Sequence, residues 1–278
     1  MTTVAQAFNQ GMNVWQENQD APWGKLRYKM VLANLALHLT KPNQAILDVG
    51  GGNGIEGILL AQQGHHVTLV DFSSEMLKAA RSTVDGLNLS SQVMLQQADV
   101  IDLPQLFGNE QFDVVLLHNV LQYVPDADAA LRAIHAVLRA DGFLSLGIIN
   151  PYSEVLGPAL RELDLVTALD NIGTKVKKQN IFGLTHPLYT LEELEQMLHR
   201  CGFRLQTFYG VRSLCDYIAD NERKADPIFF AQLEQLEMAL RDQYPFKLIA
   251  RFWHLIAVKI SPGQPEFEGL VSQSSGKV

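Results

Sequence analysis

Acidic and glycine residues that follow predicted strands are the first indication of a ligand site in this chain of 278 residues. Asp48 directly precedes a run of glycines, and Asp71, Asp99 and His118 each lie at or near the end of a later apolar run. Ligands of open parallel sheets bind beyond the carboxyl ends of the strands. We therefore expect these side chains to lie close together and to share one site.

The glycine run in "LDVGGGNGIEG" matches the GxGxxG spacing that binds dinucleotide phosphates. Asp48 would repel a pyrophosphate, which requires backbone N–H groups at a helix N-terminus. A cationic ligand tolerates that carboxylate better, and S-adenosylmethionine carries a sulfonium and an ammonium but no phosphate. Asp71 fits either ligand, because an acid after the second strand can accept hydrogen bonds from ribose hydroxyls. Asp48 thus favours S-adenosylmethionine, and an NAD(P) enzyme is the alternative.

The elements that must position these residues alternate between strands and helices. Apolar runs bounded by turn residues predict seven strands, in AILDV, HHVTLVDF, QVMLQQADV, FDVVLLHNVLQYV, FLSLGIIN, FRLQTFYGV and RFWHLIAVKI. Such strands with helices between them predict an α/β, Rossmann-like fold whose sheet is mostly parallel and covered by helices on both faces. We expect right-handed crossovers throughout.

We predict a single domain over residues 1–260, followed by a flexible polar tail at 261–278. Its parts are N-terminal helices at 1–40, a cofactor-binding core at 41–150, a helical and irregular insert on the substrate side at 151–189, and the C-terminal part of the sheet at 190–260. The late helix in "DPIFFAQLEQLEMALRDQYP" is predicted to form its core face from Phe229, Phe230, Leu233, Leu236 and Leu240.

Composition excludes several classes of function. The formal net charge of −8 argues against broad nucleic-acid binding, although it leaves room for a local basic patch. The two cysteines, Cys201 and Cys215, have no zinc-binding spacing, so we predict buried, reduced thiols and no metal site. The N-terminus is polar, and no apolar run reaches the roughly 20 residues that span a bilayer. We expect a cytoplasmic protein with no membrane partner.

The order of these motifs resembles the class I S-adenosylmethionine-dependent methyltransferases over about residues 45–150. The resemblance is carried by "LDVGGGNG", "VDFSSEML", "QADV", "FDVVLLHNVLQYVPD" and "LRADGFLSL". It implies the class I methyltransferase version of the fold, S-adenosylmethionine as cofactor and S-adenosylhomocysteine as product. The cofactor residues that it implies are Gly50, Gly51, Gly52 and Gly54 with Asp48 around the methionine part, Asp71 at the ribose, and Asp99 with the N–H of Val100 at the adenine.

The flanking segments "GKLRYKMVLANL", "YGVRSLCDYI" and "RFWHLIAVK" are similar to the bacterial tRNA uridine-5-oxyacetate carboxylmethyltransferases. Enzymes of that family esterify the carboxylate of a modified wobble uridine. The resemblance implies that Arg27 and His118 join the cofactor site and that Arg212 lies near the substrate carboxylate. A carboxylate needs no strong base, only desolvation, alignment and a cation on its other oxygen, which suits the rigid donor fork of Arg. We therefore predict Arg212 and His118 as catalytic residues.

Weaker candidates for substrate contact are Tyr209, Tyr189, His186 and Lys175. The basic stretch "TKVKKQN" is thin for an RNA site, and the acidic segment "ELDLVTALDN" precedes it. Because phosphate contacts dominate affinity for RNA, a small-molecule carboxylate or hydroxyl acceptor is the alternative to tRNA. A non-catalytic protein that binds the cofactor is a further alternative.

Each candidate also has a structural interpretation. Asp71 is also explained as a helix cap, Asp99 as a loop acid, and His118 as a histidine with satisfied hydrogen bonds. Arg27 is equally explained as an exposed helix residue, and Arg212 as one member of a structural ion pair.

Overall fold

The computed structural model describes residues 16–178 and 183–260, which form two compact units. One unit contains the helix α1, Pro22–Leu35, and comprises the described residues among 1–35, 148–190 and 208–254; we call it the α1 unit. The other contains the glycine loop, residues 50–54, and comprises the described residues among 36–147, 191–207 and 255–278; we call it the glycine-loop unit. The division into parts that we predicted from the sequence stays a prediction. The predicted tail at 261–278 lies outside the described residues.

The strands form one seven-stranded sheet in the order β3-β2-β1-β4-β5-β9-β8 and one two-stranded sheet, β6-β7. Their bounds are β1 Ala45–Val49, β2 His66–Asp71, β3 Val93–Gln97, β4 Phe112–His118, β5 Leu138–Ile149, β6 Val176–Lys178, β7 Thr185–Pro187, β8 Phe203–Val211 and β9 Phe252–Lys259. The pairs β1–β2, β1–β4, β2–β3 and β4–β5 are parallel. The predicted mostly parallel, seven-stranded sheet is confirmed.

Helices alternate with the strands along the chain. Their bounds are α1 Pro22–Leu35, α2 Ile55–Gln62, α3 Ser74–Gly86, α4 Leu103–Phe107, α5 Ala127–Val137, α6 Ser153–Leu156, α7 Leu165–Asp170, α8 Leu191–Arg200, α9 Asn221–Ala225, α10 Pro227–Leu240 and α11 Phe246–Ile249. Ser73 caps α3, because its hydroxyl accepts a hydrogen bond from the N–H of Met76 at 3.3 Å. The side-chain oxygen of an N-cap residue accepts a hydrogen bond from a first-turn N–H that has no partner within the helix.

The centre of the glycine-loop unit explains why its strands are apolar without alternation. Ile46 and Leu47 on β1 are both fully buried, and β1 lies between two parallel neighbours. Strands covered on both faces need apolar side chains on both faces. The parallel pairing also brings the carboxyl ends of β1, β2 and β4 to the same edge of the sheet.

Two details of the α1 unit differ from the sequence prediction. The stretch that was expected to be irregular contains the antiparallel pair β6–β7, in which Lys177 lies opposite His186. Strands of three residues are too short to show an alternation of apolar and polar residues, so β6 and β7 could not be predicted from the sequence.

The predicted core of α10 is also largely wrong. Leu233 is buried, but Leu236 is 45% exposed, and Phe229, Phe230 and Leu240 are only half-buried. Glu237, one helical turn beyond Leu233, is instead completely buried. The helix therefore buries a narrow stripe that includes an acid, which apolar periodicity does not reveal.

The described residues were compared with the expectations about cysteines, metal sites and membrane-spanning helices. Cys201 and Cys215 are buried free thiols, as predicted. Across residues 16–178 and 183–260, no three His, Cys, Asp or Glu side chains are grouped so that they could ligate a metal. No helix within those ranges combines the length and apolar character needed to cross a membrane.

Candidate active site

The glycine loop connects β1 to α2 and adopts a backbone conformation that is unfavourable for residues with a Cβ atom. Gly50, Gly52 and Gly54 have φ values of 66°, 58° and 81°, in the left-handed region. The N–H of Gly50 donates to the carbonyl of Val70 at 2.7 Å, which ties the loop to β2. A Cβ at Gly54 would lie only 2.7 Å from a methyl carbon of Leu69, so a larger residue lacks both the conformation and the space.

Asp48 lies against this loop and is only 2% exposed. A Cβ at Gly51 would lie 2.5 Å from its Oδ2 atom, and one at Gly57 would lie 2.8 Å from the same atom. This oxygen has no hydrogen-bond partner among the described residues. Burial, and after it the carboxylate of Glu56, raise the pKa of Asp48 to about 7. Burial therefore favours the protonated form of Asp48, and the repulsion of a pyrophosphate expected from the sequence is weakened at neutral pH.

Asp71 ends β2 and connects it to the glycine loop. Its Oδ2 accepts a hydrogen bond from the N–H of Gly52 at 2.9 Å, and its Oδ1 accepts one from Ser73 at 2.8 Å. Burial raises the pKa of Asp71, although both N–H bonds act in the opposite direction. Carboxylate oxygens have more than one acceptor site each, so this geometry leaves capacity for hydroxyl donors. The cap of α3 is Ser73, which removes the helix-cap explanation of Asp71.

His118 ends β4 and is held by protein groups at both ring nitrogens. Its Nδ1 lies 2.9 Å from Oε2 of Glu56, and its Nε2 lies 2.8 Å from the hydroxyl oxygen of Ser145. The imidazole is 5% exposed. These contacts agree with the satisfied-histidine interpretation and link α2 to β5. Neither partner was predicted from the sequence, because Glu56 occupies a variable position of the glycine motif and Ser145 lies inside an apolar run.

Asp99 and Val100 follow β3 at the same edge of the sheet. The N–H of Ala98 donates to the backbone carbonyl of Asp71 at 3.2 Å, which places this segment next to the end of β2. Asp99 is exposed, and its Oδ1 accepts a hydrogen bond from the N–H of Ile101 at 3.3 Å. The structure therefore brings the predicted acids of this unit together with the glycine loop.

Two predicted basic residues lie in the α1 unit. Arg27 on α1 is half-buried, with its guanidinium carbon 4.3 Å from the centre of the Tyr28 ring. Arg212 follows β8, is 8% exposed, and has a left-handed φ of 61°. Its Nη2 donates to Oδ1 of Asp216 at 2.6 Å, while its Nη1 donates to the carbonyl of Trp23 at 2.9 Å. The ion-pair interpretation of Arg212 is thus correct, although its buried Nε has no described partner.

A second ion-pair system continues from Arg212 and was not predicted. Nη1 of Arg251 donates to Oε1 of Glu154 at 2.6 Å, and Lys177 pairs with the other oxygen of that carboxylate. Burial opposes the charge of Arg251, but the Glu154 and Asp216 carboxylates outweigh it and raise the pKa of Arg251. The Asp216 charge therefore connects the two pairs.

We call this connected set the charge cluster. Its cations are Arg212, Arg251, Lys177 and Lys224, and its carboxylates are Asp216, Glu154 and Glu237. Arg161 also acts on Lys224 and Glu162 on Lys177, so five cations face four carboxylates and one positive charge is not balanced. This excess could not be predicted from the sequence, because the members of the cluster are distant along the chain.

The remaining substrate candidates are also residues of the α1 unit. Tyr209 is buried, with its ring centre 6.1 Å from that of His254. His186 is buried, its Nδ1 lies 3.0 Å from the Pro187 carbonyl, and burial lowers its pKa. Tyr189 is half-buried and Lys175 is exposed.

Comparison with known proteins identifies the family. Residues 47–146 match the family model described as a methyltransferase domain. The chain is 27% identical over 215 residues to the tRNA 5-carboxymethoxyuridine methyltransferase of Escherichia coli K12, covering 77% of this chain and 79% of that protein. It is 34% identical over 187 residues to the ubiquinone/menaquinone biosynthesis C-methyltransferase UbiE of Vibrio campbellii, covering 62% of this chain and 68% of that protein. The chain belongs to the class I S-adenosylmethionine-dependent methyltransferases.

A solved structure supports the same fold for this methyltransferase. The 1,6-didemethyltoxoflavin-N1-methyltransferase of Burkholderia thailandensis, with S-adenosylhomocysteine bound, aligns with a TM-score of 0.57 and 20% identity, covering 92% of this chain and 84% of that one. Membership of the family, shown by the sequence relatives, gives S-adenosylmethionine as the cofactor. The acidic groups around the glycine loop fit a cationic ligand, and the buried, unpartnered Oδ2 of Asp48 provides an acceptor there.

The methyltransferase should show a pH signature from Asp48. Its pKa near 7 exceeds the ordinary value of 3.8, so the folded state binds the proton more tightly than the unfolded chain does. The free energy of unfolding should therefore decrease as the pH rises from about 4 to about 7, by an amount on the order of 4 kcal/mol. Asp48→Asn should lose this component, while Asp71, whose pKa burial also raises, contributes in both proteins. Urea unfolding over this pH range measures the difference, and identical slopes would contradict it.

Proposed function

We propose that this methyltransferase transfers a methyl group to a carboxylate oxygen of a modified wobble uridine in tRNA, in the cytoplasm. The observation that carries the proposal is the unbalanced positive charge of the charge cluster. A buried cation excess is costly unless an anion completes it, and a carboxylate acceptor supplies one negative charge. The relative from Escherichia coli, which bears the name of this activity, aligns over most of both chains.

In this proposal the residues of the glycine-loop unit hold the cofactor. The glycine loop and Asp48 surround the methionine part, Asp71 accepts from the ribose hydroxyls, and Asp99 with the N–H of Val100 binds the adenine. The family resemblance adds Arg27 and His118 to this set. His118 acts there by fixing Glu56 and Ser145, because both of its ring nitrogens are occupied.

The acceptor carboxylate requires orientation rather than deprotonation. One of its oxygens forms the new bond to the methyl carbon, and the other is held by a cation. We assign that cation to Arg212, whose Nε is buried and has no described partner. Asp216 neutralises part of Arg212, so the full positive charge depends on Arg251 and Lys177 as well. Tyr209, Tyr189, His186 and Lys175 are the proposed contacts to the rest of the acceptor.

The basic stretch contributes less to RNA binding than its sequence suggests. Lys177 is paired with Glu154 inside the charge cluster and is unavailable to phosphate. Lys175 is exposed. Recognition in this proposal therefore depends mainly on the modified base and its carboxylate, and the salt dependence of tRNA binding should be weak.

Transfer of labelled methyl groups tests the proposal. The full chain is incubated with labelled S-adenosylmethionine and tRNA from cells that make the uridine carboxylate but cannot esterify it. The label should enter RNA, and mild alkali should release it as methanol, as expected for an ester. Alkali-stable label in RNA would contradict a carboxylate acceptor. A parallel incubation contains a metabolite extract instead of tRNA, and label only in that incubation would contradict tRNA as the acceptor.

A small apolar acceptor is the second candidate, and one observation favours it. The insert between β5 and β6 exposes large apolar side chains: Leu163 is 79% exposed, Leu165 70%, Val166 72% and Leu169 69%. Exposed apolar patches commonly mark interaction sites. The Vibrio campbellii relative is named for ubiquinone and menaquinone biosynthesis. A lipid extract in the same assay distinguishes this acceptor, because the label would then enter the organic phase.

A further inference from the structure

Glu237 is a fully buried acid with an unusual set of partners. Its carboxylate accepts three backbone hydrogen bonds, from Ser213 at 2.6 Å, Leu214 at 2.9 Å and Cys215 at 2.7 Å. These three residues directly follow Arg212. One side chain of α10 therefore fixes the backbone of the segment that carries the proposed acceptor-binding arginine.

The segment 212–216 has few other means of holding its shape. Residues 213–217 form bends and turns rather than a helix or a strand, so their N–H groups lack regular backbone partners. Arg212 itself has a left-handed φ of 61°, which a residue with a side chain adopts only when its surroundings impose it. Hydrogen bonds to an ionised acceptor are among the stronger ones available to impose such a shape.

The opposite side of the segment is held by other members of the α1 unit. The N–H of Arg251 donates to the Arg212 carbonyl at 2.9 Å, and the Lys224 ammonium donates to the Cys215 carbonyl at 3.4 Å. Donors therefore hold the carbonyls, while Glu237 alone accepts from three consecutive N–H groups among the described contacts. Removing its negative charge leaves those N–H groups without an equivalent acceptor.

We propose that Glu237 is a positioning residue that holds the segment 212–216 so that Arg212 presents its guanidinium to the acceptor carboxylate. The acceptor part of this statement rests on the proposed function, whereas the effect on the segment does not. The role was invisible in the sequence, where Glu237 reads as one more charged residue on an amphipathic helix.

Glu237→Gln is the discriminating variant, because it keeps the size and removes one acceptor oxygen. The amide replaces that oxygen with an NH₂ donor that faces backbone donors. Glu234→Gln is the matched control, since Glu234 lies on the same helix and pairs with the exposed side chain of Lys29. The two variants carry the same chemical change on α10 and differ in what the carboxylate holds.

The first measurement is amide hydrogen exchange of residues 213–215 in the full chain. Glu237→Gln should accelerate it roughly 10- to 100-fold relative to the wild type, and Glu234→Gln should leave it unchanged. If Glu237→Gln does not fold, the exchange rates of the wild type test the proposal. In the wild type, the amides of residues 213–215 should exchange far more slowly than unprotected amides. Unprotected rates in the wild type, or unchanged rates in a folded Glu237→Gln variant, would overturn the proposal.

The second measurement is methyl transfer to tRNA that carries the uridine carboxylate. Glu237→Gln should raise the KM for this tRNA at least about 10-fold and leave the Kd for S-adenosylmethionine unchanged. A merely structural role would lower both functions together with the fraction of folded protein, so a parallel loss overturns positioning. If the wild type transfers nothing to tRNA, the proposed function fails, and the exchange measurement still decides the effect of Glu237 on the segment.

Discussion

Gly51→Ala is expected to weaken S-adenosylmethionine binding about 10- to 100-fold, because the new methyl group would overlap the Asp48 carboxyl. A Cβ there would lie 2.5 Å from Oδ2, 2.6 Å from the carboxyl carbon and 2.8 Å from Oδ1 of Asp48. Asp48 is buried at the end of β1 and cannot move without shifting the loop. Crowding of a packed site typically costs about 1–3 kcal/mol, which corresponds to this loss of affinity.

Gly86→Ala is the matched control for this variant. Gly86 ends α3 in the same unit, its Cβ would meet nothing within 4 Å, and Ala is the better helix former. Titration calorimetry with S-adenosylmethionine should therefore give the wild-type Kd for Gly86→Ala and a weaker one for Gly51→Ala. Equal affinities of both variants would show that Asp48 and the loop do not form the cofactor site.

The parts of the fold that were predictable are those whose signal is local. β1 and its loop could be predicted because a buried parallel strand is a continuous apolar run and its turn requires glycine. Ser73 was predictable as a cap for the same reason, since its hydrogen bond reaches only to Met76. The mostly parallel sheet with helices on both faces followed from the alternation of strands and helices.

The parts that could not be predicted depend on contacts between distant residues. Arg212 was singled out from the sequence as a candidate, but its partners Trp23 and Asp216 follow from tertiary packing and a strained backbone. Glu237 was overlooked because apolar periodicity assigns a charged residue to the solvent side of a helix. Asp48 was recognised from its position, yet its ionisation depends on burial, which the sequence does not contain.

Glu154→Leu is expected to lower the free energy of unfolding by about 3–5 kcal/mol, because it leaves Arg251 and Lys177 without their shared carboxylate. Burial opposes ionisation of Glu154, but Arg251 and Lys177 outweigh it and lower its pKa. The stabilisation is therefore present above the ordinary pKa of Glu and is lost as the pH falls through the lowered value. Denaturant unfolding at neutral pH measures the loss.

The double variant Glu154→Leu with Arg251→Met tests whether these two side chains stabilise the fold through their direct interaction. It should recover part of the stability, because apolar side chains of similar volume replace the Glu154–Arg251 pair, while Lys177 remains without its carboxylate. Asp141→Ala is the control, since the Lys41–Asp141 pair is exposed and should contribute almost nothing. Additive losses in the double variant would contradict direct coupling of Glu154 and Arg251.

Glu154→Leu should strengthen acceptor binding although it destabilises the fold. Without Glu154 the charge cluster has two unbalanced positive charges instead of one, so it attracts a carboxylate more strongly. Glu154→Leu should therefore lower the KM for the carboxylate-bearing tRNA while it lowers the unfolding free energy. In the proposed function, Glu154 would therefore stabilise the fold in the absence of the acceptor and leave one positive charge of the charge cluster to bind it.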